Sequence, residues 1–315
     1  MSTCHPASLT KHLPLIHHPL PRQCLPPGAE QDESILRLKQ ISSSTNDDNQ
    51  AKGAASTGTT GTTLWLGGQL MGCYIAETLP TGSVVMEDGR RRPKRVLELG
   101  GGIGFLSLVL SSLGYSVTTT DISPSFESVL LPNIESNTRN RSGWEWGPIR
   151  GRKLDWFDFV DDGTGIDAGS AKAREWMRAE KEEPARIAIT STTPTNATPD
   201  QIRDLDYDYD YIITTDTLYS PPLTLPLLST LRSFSLACAS PPPILVALET
   251  RDPLLIASAL NQAKEMGFSC KKIAGGRVEK ALAKSGWGWD KGDRRDWEGI
   301  EVWRWKYVGA EVDKD

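Results

Sequence analysis

The sequence predicts an α/β fold with a mostly parallel sheet, and three observations support this. Short runs of β-branched and aliphatic residues alternate with stretches whose apolar residues recur at helical spacing. A glycine-rich turn, GGGIG at 100–104, joins the first core strand to a helix. The last two strand-like runs are separated by a long loop-like stretch, which predicts an antiparallel C-terminal hairpin.

Seven strands and five helices are expected from these patterns, with the crossover helices on both faces of the sheet. Pro80, Gly114 and Gly267 end three of the helices, and Pro132 kinks another. The expected helices are 62–79, 105–114, 126–137, 223–234 and 254–267. The expected strands are 94–100, 116–121, 152–156, 209–219, 243–250, 269–274 and 299–308.

The chain is expected to divide into three parts. Residues 1–62 are proline-rich and then polar, so we expect a low-complexity, largely disordered arm with one short strand at ILRLKQI. Residues 63–309 form the folded domain, which carries a surface insertion at about 158–205. Within that insertion, AKAREWMRAEKEE is expected to form a charged surface helix. Residues 310–315 are a tail.

The composition argues against several classes of protein. Of the 315 residues, 38% are hydrophobic and 24% are charged, which is enough for a sizeable core. The net charge of −5 gives no basic face for nucleic acid. Five scattered cysteines fit neither a zinc site nor a disulfide framework. We expect no secretory signal, no membrane association and a location in the cytoplasm, the nucleus or both.

The glycine turn indicates a ligand that contains ribose and a positive charge. Its spacing is GxGxG, and Phe105 stands where a dinucleotide fingerprint has its third glycine. Glu98 precedes the turn and suits a cationic group, while Asp121 ends the second strand and suits two ribose hydroxyls. S-adenosylmethionine matches this set better than a dinucleotide. The alternative is a tight strand-to-helix link in which Asp121 caps a helix.

The turn and three further motifs resemble a known family. VLELGGGIG is similar to motif I of class I, seven-strand methyltransferases, and their fold is Rossmann-like. GTTLWLGGQLMGCYI, RKLDW and the D-x-x-Y segment DTLY resemble segments of methyltransferase family 16, a family of protein-lysine methyltransferases. LWLGGQLMGCYI, KLDW and VALETRDP are most similar to the methyltransferase-like protein 22 branch and its fungal relatives. The resemblance covers about residues 62–308.

The resemblance implies S-adenosylmethionine as cofactor and the lysine of a protein substrate as methyl acceptor. It implies that Trp65 closes the site, that the adenine lies at Asp155 and Trp156, and that Asp216 orients the lysine amine while Tyr219 shapes its channel. The full expected set is Asp216 and Tyr219 for catalysis, and Trp65, Glu98, Gly100, Gly102, Gly104, Asp121, Asp155 and Trp156 for the cofactor. Core packing or helix capping is the alternative role for several of them.

The sequence also leaves other acceptors and another class of function open. A small-molecule amine is a possible acceptor, and a non-catalytic scaffold is a second class of function. A nucleobase acceptor is disfavoured, because DTLY stands where those enzymes carry Asn/Asp-Pro-Pro-aromatic. No metal is expected, since His5, His12, His17 and His18 all lie in the arm. We expect a monomer, and we expect Trp287 and Trp289 either to lie in the core or to cover a substrate at the rim.

Overall fold

The computed structural model describes residues 4–26, 28, 34–41, 60–79, 82–85, 89, 91–138, 146–161, 166–179, 208–289 and 294–309. The described strands are β1 Leu15–Pro19, β2 Ile35–Lys39, β3 Ser83–Val85, β4 Arg91–Pro93, β5 Arg95–Leu99, β6 Ser116–Asp121, β7 Ile149–Lys153, β8 Tyr211–Thr215, β9 Ile244–Glu249, β10 Phe268–Lys272 and β11 Ile300–Tyr307. The described α-helices are α1 Ala7–Thr10, α2 Leu66–Thr78, α3 Phe105–Ser112, α4 Leu131–Thr138, α5 Ile166–Ala179, α6 Pro221–Ala237, α7 Pro253–Glu265 and α8 Gly275–Lys284.

A seven-stranded sheet lies at the centre of the molecule, in the order β7-β6-β5-β8-β9-β11-β10. Strands β5 to β9 pair in parallel, whereas β11 is antiparallel to both β9 and β10. The chain leaves the central strand β5 towards β6 and β7, then returns on its other side through β8 and β9. The reversal opens a crevice at the carboxyl ends of the strands, where α/β proteins bind ligands. The predicted Rossmann-like fold with an antiparallel C-terminal pair is confirmed.

The strand that carries the glycine turn is fully enclosed. Val96, Leu97 and Leu99 of β5 have no solvent-exposed surface. In parallel sheets, a strand that is buried on both faces has a continuous apolar sequence. The nearly apolar run VLEL therefore predicted this strand. Glu98 is the one charged residue in that run, and the register sets it beside Thr119 and Ile213.

The predicted kink at Pro132 takes the form of a widened turn. Residues Phe126–Leu130 form a π-helical turn that continues into α4, and the Leu131 N–H bonds the Phe126 carbonyl five residues back. Proline has no N–H to donate, so a helix around it gains little from the regular spacing. The change of pitch lets Phe126 and Leu130 remain buried.

The expected disorder of the arm is wrong for residues 4–26 and 34–41. β1 and β2 form an antiparallel hairpin, and Ile16, Leu20, Leu36 and Leu38 belong to the main hydrophobic core. The short strand predicted at ILRLKQI is confirmed as β2. The arm is therefore folded onto the domain, and residues 42–59 lie outside the described parts of the chain.

Two asparagines of α4 fix β2 to the domain. Asn137 accepts a hydrogen bond from the Arg37 N–H at 2.8 Å and donates one to the Arg37 carbonyl at 2.9 Å. Asn133 does the same with Lys39, at 2.7 and 2.9 Å. Because i and i+4 share one helix face, the two side chains pair with alternate residues of the strand, as a neighbouring strand would.

The insertion at 158–205 is also partly integrated. Its predicted helix exists as α5, but the helix is a crossover between β7 and β8 and not a surface addition. Ala173 and Met177 are buried against α6, and Trp176 packs edge-on against Phe234 at 5.3 Å between ring centroids. Its charged residues occupy only the outer face, which the sequence could not distinguish from full exposure. Residues 180–207 lie outside the described ranges.

The stretch between the last two strands holds a helix, α8, that was expected to be loop. α8 packs against α2 through Val278, Ala281 and Leu282. Trp287 and Trp289 follow it and are buried, so they do not cover the rim of the sheet. Trp287 packs on the ring of His18 at 4.8 Å, and the Trp289 indole N–H donates to the Cys4 carbonyl at 2.9 Å. Both tryptophans hold the arm in place.

None of the helices in the described ranges is long and apolar enough to cross a membrane. The same parts of the chain contain no cluster of histidine, cysteine or acidic side chains suited to a metal ion. The five cysteines are all described, and all are free thiols.

Candidate active site

A cleft of about 440 Å³ opens at the carboxyl ends of the parallel strands. This size is typical of sites that take a small molecule or cofactor. Nine of the ten expected site residues line it: Trp65, Glu98, Gly100, Gly102, Asp121, Asp155, Trp156, Asp216 and Tyr219. They come from β5 and β6, from the segments that follow β5, β7 and β8, and from the residue before α2. The strand ends therefore bring together residues up to 154 positions apart in the chain.

The tenth residue, Gly104, does not line the cleft. It precedes α3 with a φ of 82°, and a Cβ there would lie 3.1 Å from Leu130 and 3.2 Å from Ile134. Glycine is required at position 104 because the backbone is left-handed there and α3 begins close against Leu130 and α4. Direct contact with a cofactor, expected from the motif, is not supported at this position.

Gly100 and Gly102 let the backbone form the floor of the cleft. Their φ angles are 71° and 55°, in the region that side chains other than glycine rarely adopt. A Cβ on Gly100 would lie 3.0 Å from Thr217 and 3.3 Å from the Trp156 ring. A ligand can approach the main chain here without meeting a side chain.

Glu98 lies buried at the end of β5. Its Oε2 accepts hydrogen bonds from the Ser107 and Thr119 hydroxyls, the latter at 2.9 Å. Burial raises the pKa of its carboxyl to about 7, and the two hydroxyls act in the opposite direction. A positively charged ligand group nearby would favour the ionised form.

Asp121 ends β6 and faces the glycine turn. Its Oδ2 accepts the Gly102 N–H at 2.8 Å, and its Oδ1 accepts the Ile122 N–H at 2.8 Å. Burial raises the pKa of this carboxyl to about 6. Each carboxylate oxygen has a second acceptor site, so both can still take a hydroxyl. The side chain is oriented as a pair of hydroxyls on a ribose would require.

Asp155 and Trp156 follow β7 on the far side of the cleft. Asp155 is exposed, and its Oδ1 accepts the Phe157 N–H at 3.0 Å, so it caps the short 3₁₀ helix Trp156–Phe159. Trp156 is half-buried beside Gly100. The capping role and the expected adenine contact are compatible, because the second oxygen of Asp155 is not used by the cap.

Asp216 has an unusual backbone and a buried carboxylate. Its φ is 57°, and no other described residue except glycine has a positive φ. Strain of this kind, about 1–3 kcal/mol, is concentrated at functional sites. Oδ2 accepts the Gly68 N–H at 3.1 Å, at the first turn of α2. Oδ1 is buried and makes no hydrogen bond of normal geometry to a described residue.

The position of Asp216 explains a glycine in α2. A Cβ on Gly67 would lie 2.4 Å from the Asp216 Oδ2, so no larger residue fits. Burial raises the pKa of the Asp216 carboxyl to about 7, with the Glu249 charge acting in the same direction. The backbone N–H groups of Gly68 and Gly67 and the Arg251 charge act against it.

Tyr219 lies at the mouth and is 39% exposed. Its hydroxyl oxygen accepts a hydrogen bond from the Thr60 hydroxyl at 2.9 Å, and burial raises the pKa of the phenol. The Asp121 charge also raises the pKa of Tyr219, and both residues line the cleft. Its expected place on the lysine channel stays a prediction.

Trp65 precedes α2 and forms one wall. Its indole N–H donates to the Thr60 carbonyl at 2.7 Å. Two cations lie over its ring: the Lys11 Nζ at 3.3 Å and the Arg251 guanidinium at 4.4 Å from the centroid. Such contacts contribute about 0.5–2 kcal/mol each, according to how far the cation is desolvated.

Sequence reasoning missed three charged residues of the cleft, Glu249, Arg251 and Asp252. Glu249 and Arg251 form an ion pair with each other. Glu249 is the last residue of β9 and could have been found by the rule that identified Asp121 and Asp216, since it too ends a parallel strand. Arg251 lies in a loop and Thr60 begins the short 3₁₀ helix Thr60–Thr62, and neither carries a comparable signal.

A model of a lysine methyltransferase family matches residues 46–166, less than half of the chain. The matched segment contains Trp65, the glycine turn, Asp121, Asp155 and Trp156. The strand order and the cleft residues agree with that match. Over this segment the chain is similar to a lysine methyltransferase family.

The cofactor of such a methyltransferase is S-adenosylmethionine, and the residues present fit it. Gly100 and Gly102 leave room at the main chain, Asp121 offers two acceptor oxygens, and the half-buried Trp156 offers an apolar plate. Glu98 supplies a carboxyl beside the position for a cationic group.

Several solved methyltransferase structures are distantly similar to this chain. A protein from Streptococcus mutans assigned as a SAM-dependent methyltransferase is 11% identical, with a TM-score of 0.39, over 77% of this chain and 49% of its own. A methyltransferase from Pyrococcus furiosus is 12% identical, with a TM-score of 0.39, over 77% and 83%. A ribosomal protein L11 methylase from Lactobacillus delbrueckii subsp. bulgaricus is 13% identical, with a TM-score of 0.35, over 76% and 75%.

The chain spans about half the length of the first two structures it matches. The fold follows from the strand order. The search of curated protein sequences gives no match.

Proposed function

We propose that this protein is an S-adenosylmethionine-dependent methyltransferase that transfers a methyl group to the ε-amine of a lysine in a protein substrate. The observation that carries the proposal is the Asp216 carboxylate, which lines the cleft with one buried oxygen that has no hydrogen-bond partner of normal geometry among the described residues. Buried polar atoms are nearly always paired, so such an oxygen indicates that a donor from a ligand completes the site. A lysine amine is such a donor.

Methyl transfer to an amine depends more on the position of the amine than on proton transfer by a side chain. When bound, the cofactor supplies a methyl group on a positively charged sulfur. A lysine amine carries a proton at neutral pH and cannot attack until it loses it. Asp216 would accept a hydrogen bond from the amine and aim its lone pair, while Trp65 excludes water from one side. The proton leaves to solvent before attack.

An apolar rim around the cleft supports a protein acceptor over a small molecule. Ile122, Phe157 and Tyr219 line the cleft and remain 36%, 56% and 39% exposed. Leu254, in the first turn of α7, is 82% exposed. Exposed apolar side chains grouped around a site are typical of surfaces that meet another protein. A small amine would use only the interior of the cleft.

The description of the matching family model, a lysine methyltransferase, supports the same acceptor. The LWLGG, KLDW and VALETRDP segments support a place in the methyltransferase-like protein 22 branch. Expected in addition are a monomer, no binding of nucleic acid, and a location in cytoplasm or nucleus.

The test is labelling of a lysate from cells that lack this protein, with radiolabelled S-adenosylmethionine and purified protein. Asp216→Asn runs beside the wild type, and cofactor binding by both is measured first by calorimetry. A discrete protein band that maps to lysine and is lost in the variant supports the proposal. Cofactor binding without any protein label would instead favour a small-molecule amine or a scaffold.

A further inference from the structure

A lysine of the chain itself lies beside the acceptor end of the cleft. Lys11 follows α1, and its Nζ lies 3.3 Å from the centroid of Trp65, whose side chain forms a wall of the cleft. The side chain is half-buried, although most lysines on a protein surface are fully solvated. The arm therefore brings an amine to the wall that a substrate lysine would have to pass.

The turn that carries Lys11 is fixed from both sides by one buried glutamine. The Gln40 Nε2 donates to the carbonyls of Thr10 and Leu13, each at 2.9 Å. The Oε1 of the same side chain accepts the Leu64 N–H at 2.7 Å. Gln40 thus connects the turn around Lys11 to the residue that precedes Trp65, so the contact between them does not depend on the lysine side chain alone.

A second glutamine fixes the start of this segment. The Gln69 Oε1 accepts the Ala7 N–H at 2.8 Å, and its Nε2 donates to the His5 carbonyl at 3.1 Å and to His18 at 2.7 Å. Gln69 lies on α2, one turn after Trp65. The segment on either side of Lys11 is therefore built against the wall of the cleft.

The charges around Lys11 are those of the cleft. Burial and the Arg251 charge lower the pKa of the Lys11 amine, while the Glu249 and Asp216 charges act in the opposite direction. Asp216 and Glu249 both line the cleft. A lysine with a lowered pKa is more often neutral, which is the state that accepts a methyl group.

We propose that the Lys11 amine is a methyl acceptor of the chain's own active site. The inference rests on the proposed function, and it names a substrate that is part of the molecule. The geometry for it is the fixed turn, the contact with Trp65 and the adjacent carboxylates. The four-carbon stem of lysine is flexible, so rotations within the side chain carry Nζ from the Trp65 ring into the cleft while the backbone stays in place.

The step balances in atoms and charge. The Lys11 ammonium first releases one proton to water. The neutral amine then forms an N–C bond to the methyl carbon as the C–S bond breaks, and the electron pair of that bond remains on sulfur. S-adenosylhomocysteine leaves uncharged, and the methylated nitrogen carries the positive charge.

The test uses the purified full-length chain with labelled S-adenosylmethionine and no other protein, followed by peptide mass mapping. We expect a mass increase of one or more methyl groups at Lys11, with a fractional rate that does not change when the protein is diluted tenfold, as for a reaction within one molecule. Lys11→Arg should lose the label. Lys39→Arg, an exposed lysine of the same arm, should retain it.

A measurement without the cofactor checks the geometry independently. Acetylation of each lysine by an activated ester is followed by mass spectrometry between pH 6 and 10. We expect the Lys11 amine to become reactive at lower pH than Lys39, with that difference lost in Trp65→Ala if the wall holds the amine. Identical pH profiles for Lys11 and Lys39 in the wild type would overturn the placement.

The outcomes separate the two proposals. Labelled lysate proteins with an unmodified Lys11 would overturn the inference and leave the proposed function standing. Label on Lys11 that falls in rate on dilution would overturn the assignment to the same molecule. Cofactor binding with no label on Lys11 or on any lysate protein would overturn both.

Discussion

Asp216 combines two features that are each unfavourable: a positive φ, and a buried Oδ1 that makes no hydrogen bond of normal geometry to a described residue. It also holds the first turn of α2 through Gly68, so it caps a helix and lines the cleft at once. Helix capping was the predicted alternative role of Asp216, with the helix that follows it, α6, as the expected partner. The helix it contacts is instead α2, far earlier in the chain. Both functions have to be separated in any test.

Asp216→Asn separates them, because the amide oxygen can still accept the Gly68 N–H while the charge is lost. We expect methyl transfer to fall by about 100-fold or more, with cofactor affinity unchanged. In the wild type the raised pKa of about 7 keeps the carboxyl protonated at lower pH, so the rate should fall as pH drops through 7. A pH profile of the rate for both proteins checks this.

The pH profile of the Asp216→Asn rate should lack the inflection near pH 7. Its rate should still rise with pH as the substrate lysine amine loses its proton. Asp216→Ala is a poorer test, since it leaves the Gly68 N–H without its acceptor and costs about 1–3 kcal/mol of stability. Transfer at the wild-type rate in Asp216→Asn would remove the residue from the catalytic assignment.

Asp121 leads to a prediction about binding rather than rate. Asp121→Asn removes the charge that two ribose hydroxyls would meet, and hydrogen bonds to a charged group contribute about 1.5–3 kcal/mol. We expect the dissociation constant of S-adenosylhomocysteine, measured by calorimetry, to rise by about 10- to 100-fold. Asp158→Asn is the matched control, because Asp158 is exposed and does not line the cleft. Equal affinities in the two variants would contradict the ribose assignment.

The place of the acidic side chains in the cleft could be predicted from the sequence because one physical rule applies to all of them. Parallel strands end at one edge, so acids that end strands converge there, as Glu98, Asp121 and Asp216 do. Lys11 and Thr60 could not be found in this way. They reach the cleft through the packing of the arm, and no periodicity in the chain encodes that contact.

At the scale of elements, α4 shows how one helix can serve as a partner for a strand. The hydrogen bonds of Asn137 satisfy both backbone groups of Arg37 in β2. Asn137→Ala leaves them without a partner in a partly buried place, so we expect a loss of about 1–3 kcal/mol in the free energy of unfolding. Urea denaturation measures this, and amide hydrogen exchange should accelerate in residues 35–39. Lys306→Ala, at an exposed residue of β11, should change neither.

Strands were easier to predict than helices in this chain, for reasons of amphipathicity. The central strands β5, β8 and β9 are largely apolar, and all seven strands of the sheet were found, with the third beginning at Ile149 and not at Arg152. Helices α5 and α8 have charged outer faces and few apolar positions. Some of their buried residues, such as Ala173 and Ala281, are alanines, and alanine does not distinguish a buried face from an exposed one.

For the molecule as a whole, the arm is the largest departure from expectation. Its composition is that of a disordered segment, yet Ile16, Leu20, Leu36 and Leu38 lie in the core, while Leu9, Leu13 and Leu15 remain exposed. His18 illustrates this, because it is buried between Phe105 and Trp287 at 4.6 and 4.8 Å. Composition averages over a segment, whereas packing depends on a few side chains and on the surface they meet.

Removal of the arm therefore tests the fold as a whole. If residues 1–41 were an appendage, a chain that begins at residue 42 would melt at the temperature of the full chain. We expect it to lose its cooperative transition or to melt far lower, since Phe105, Trp287 and the Gln69 amide would lose their partners. Differential scanning calorimetry of both chains checks this, with a chain lacking only residues 1–3 as the control. Binding of S-adenosylhomocysteine should fall with folding, because Trp65 and α2 lie between the arm and the cleft. A truncated chain with unchanged melting temperature would contradict the packing of β1 and β2 into the core.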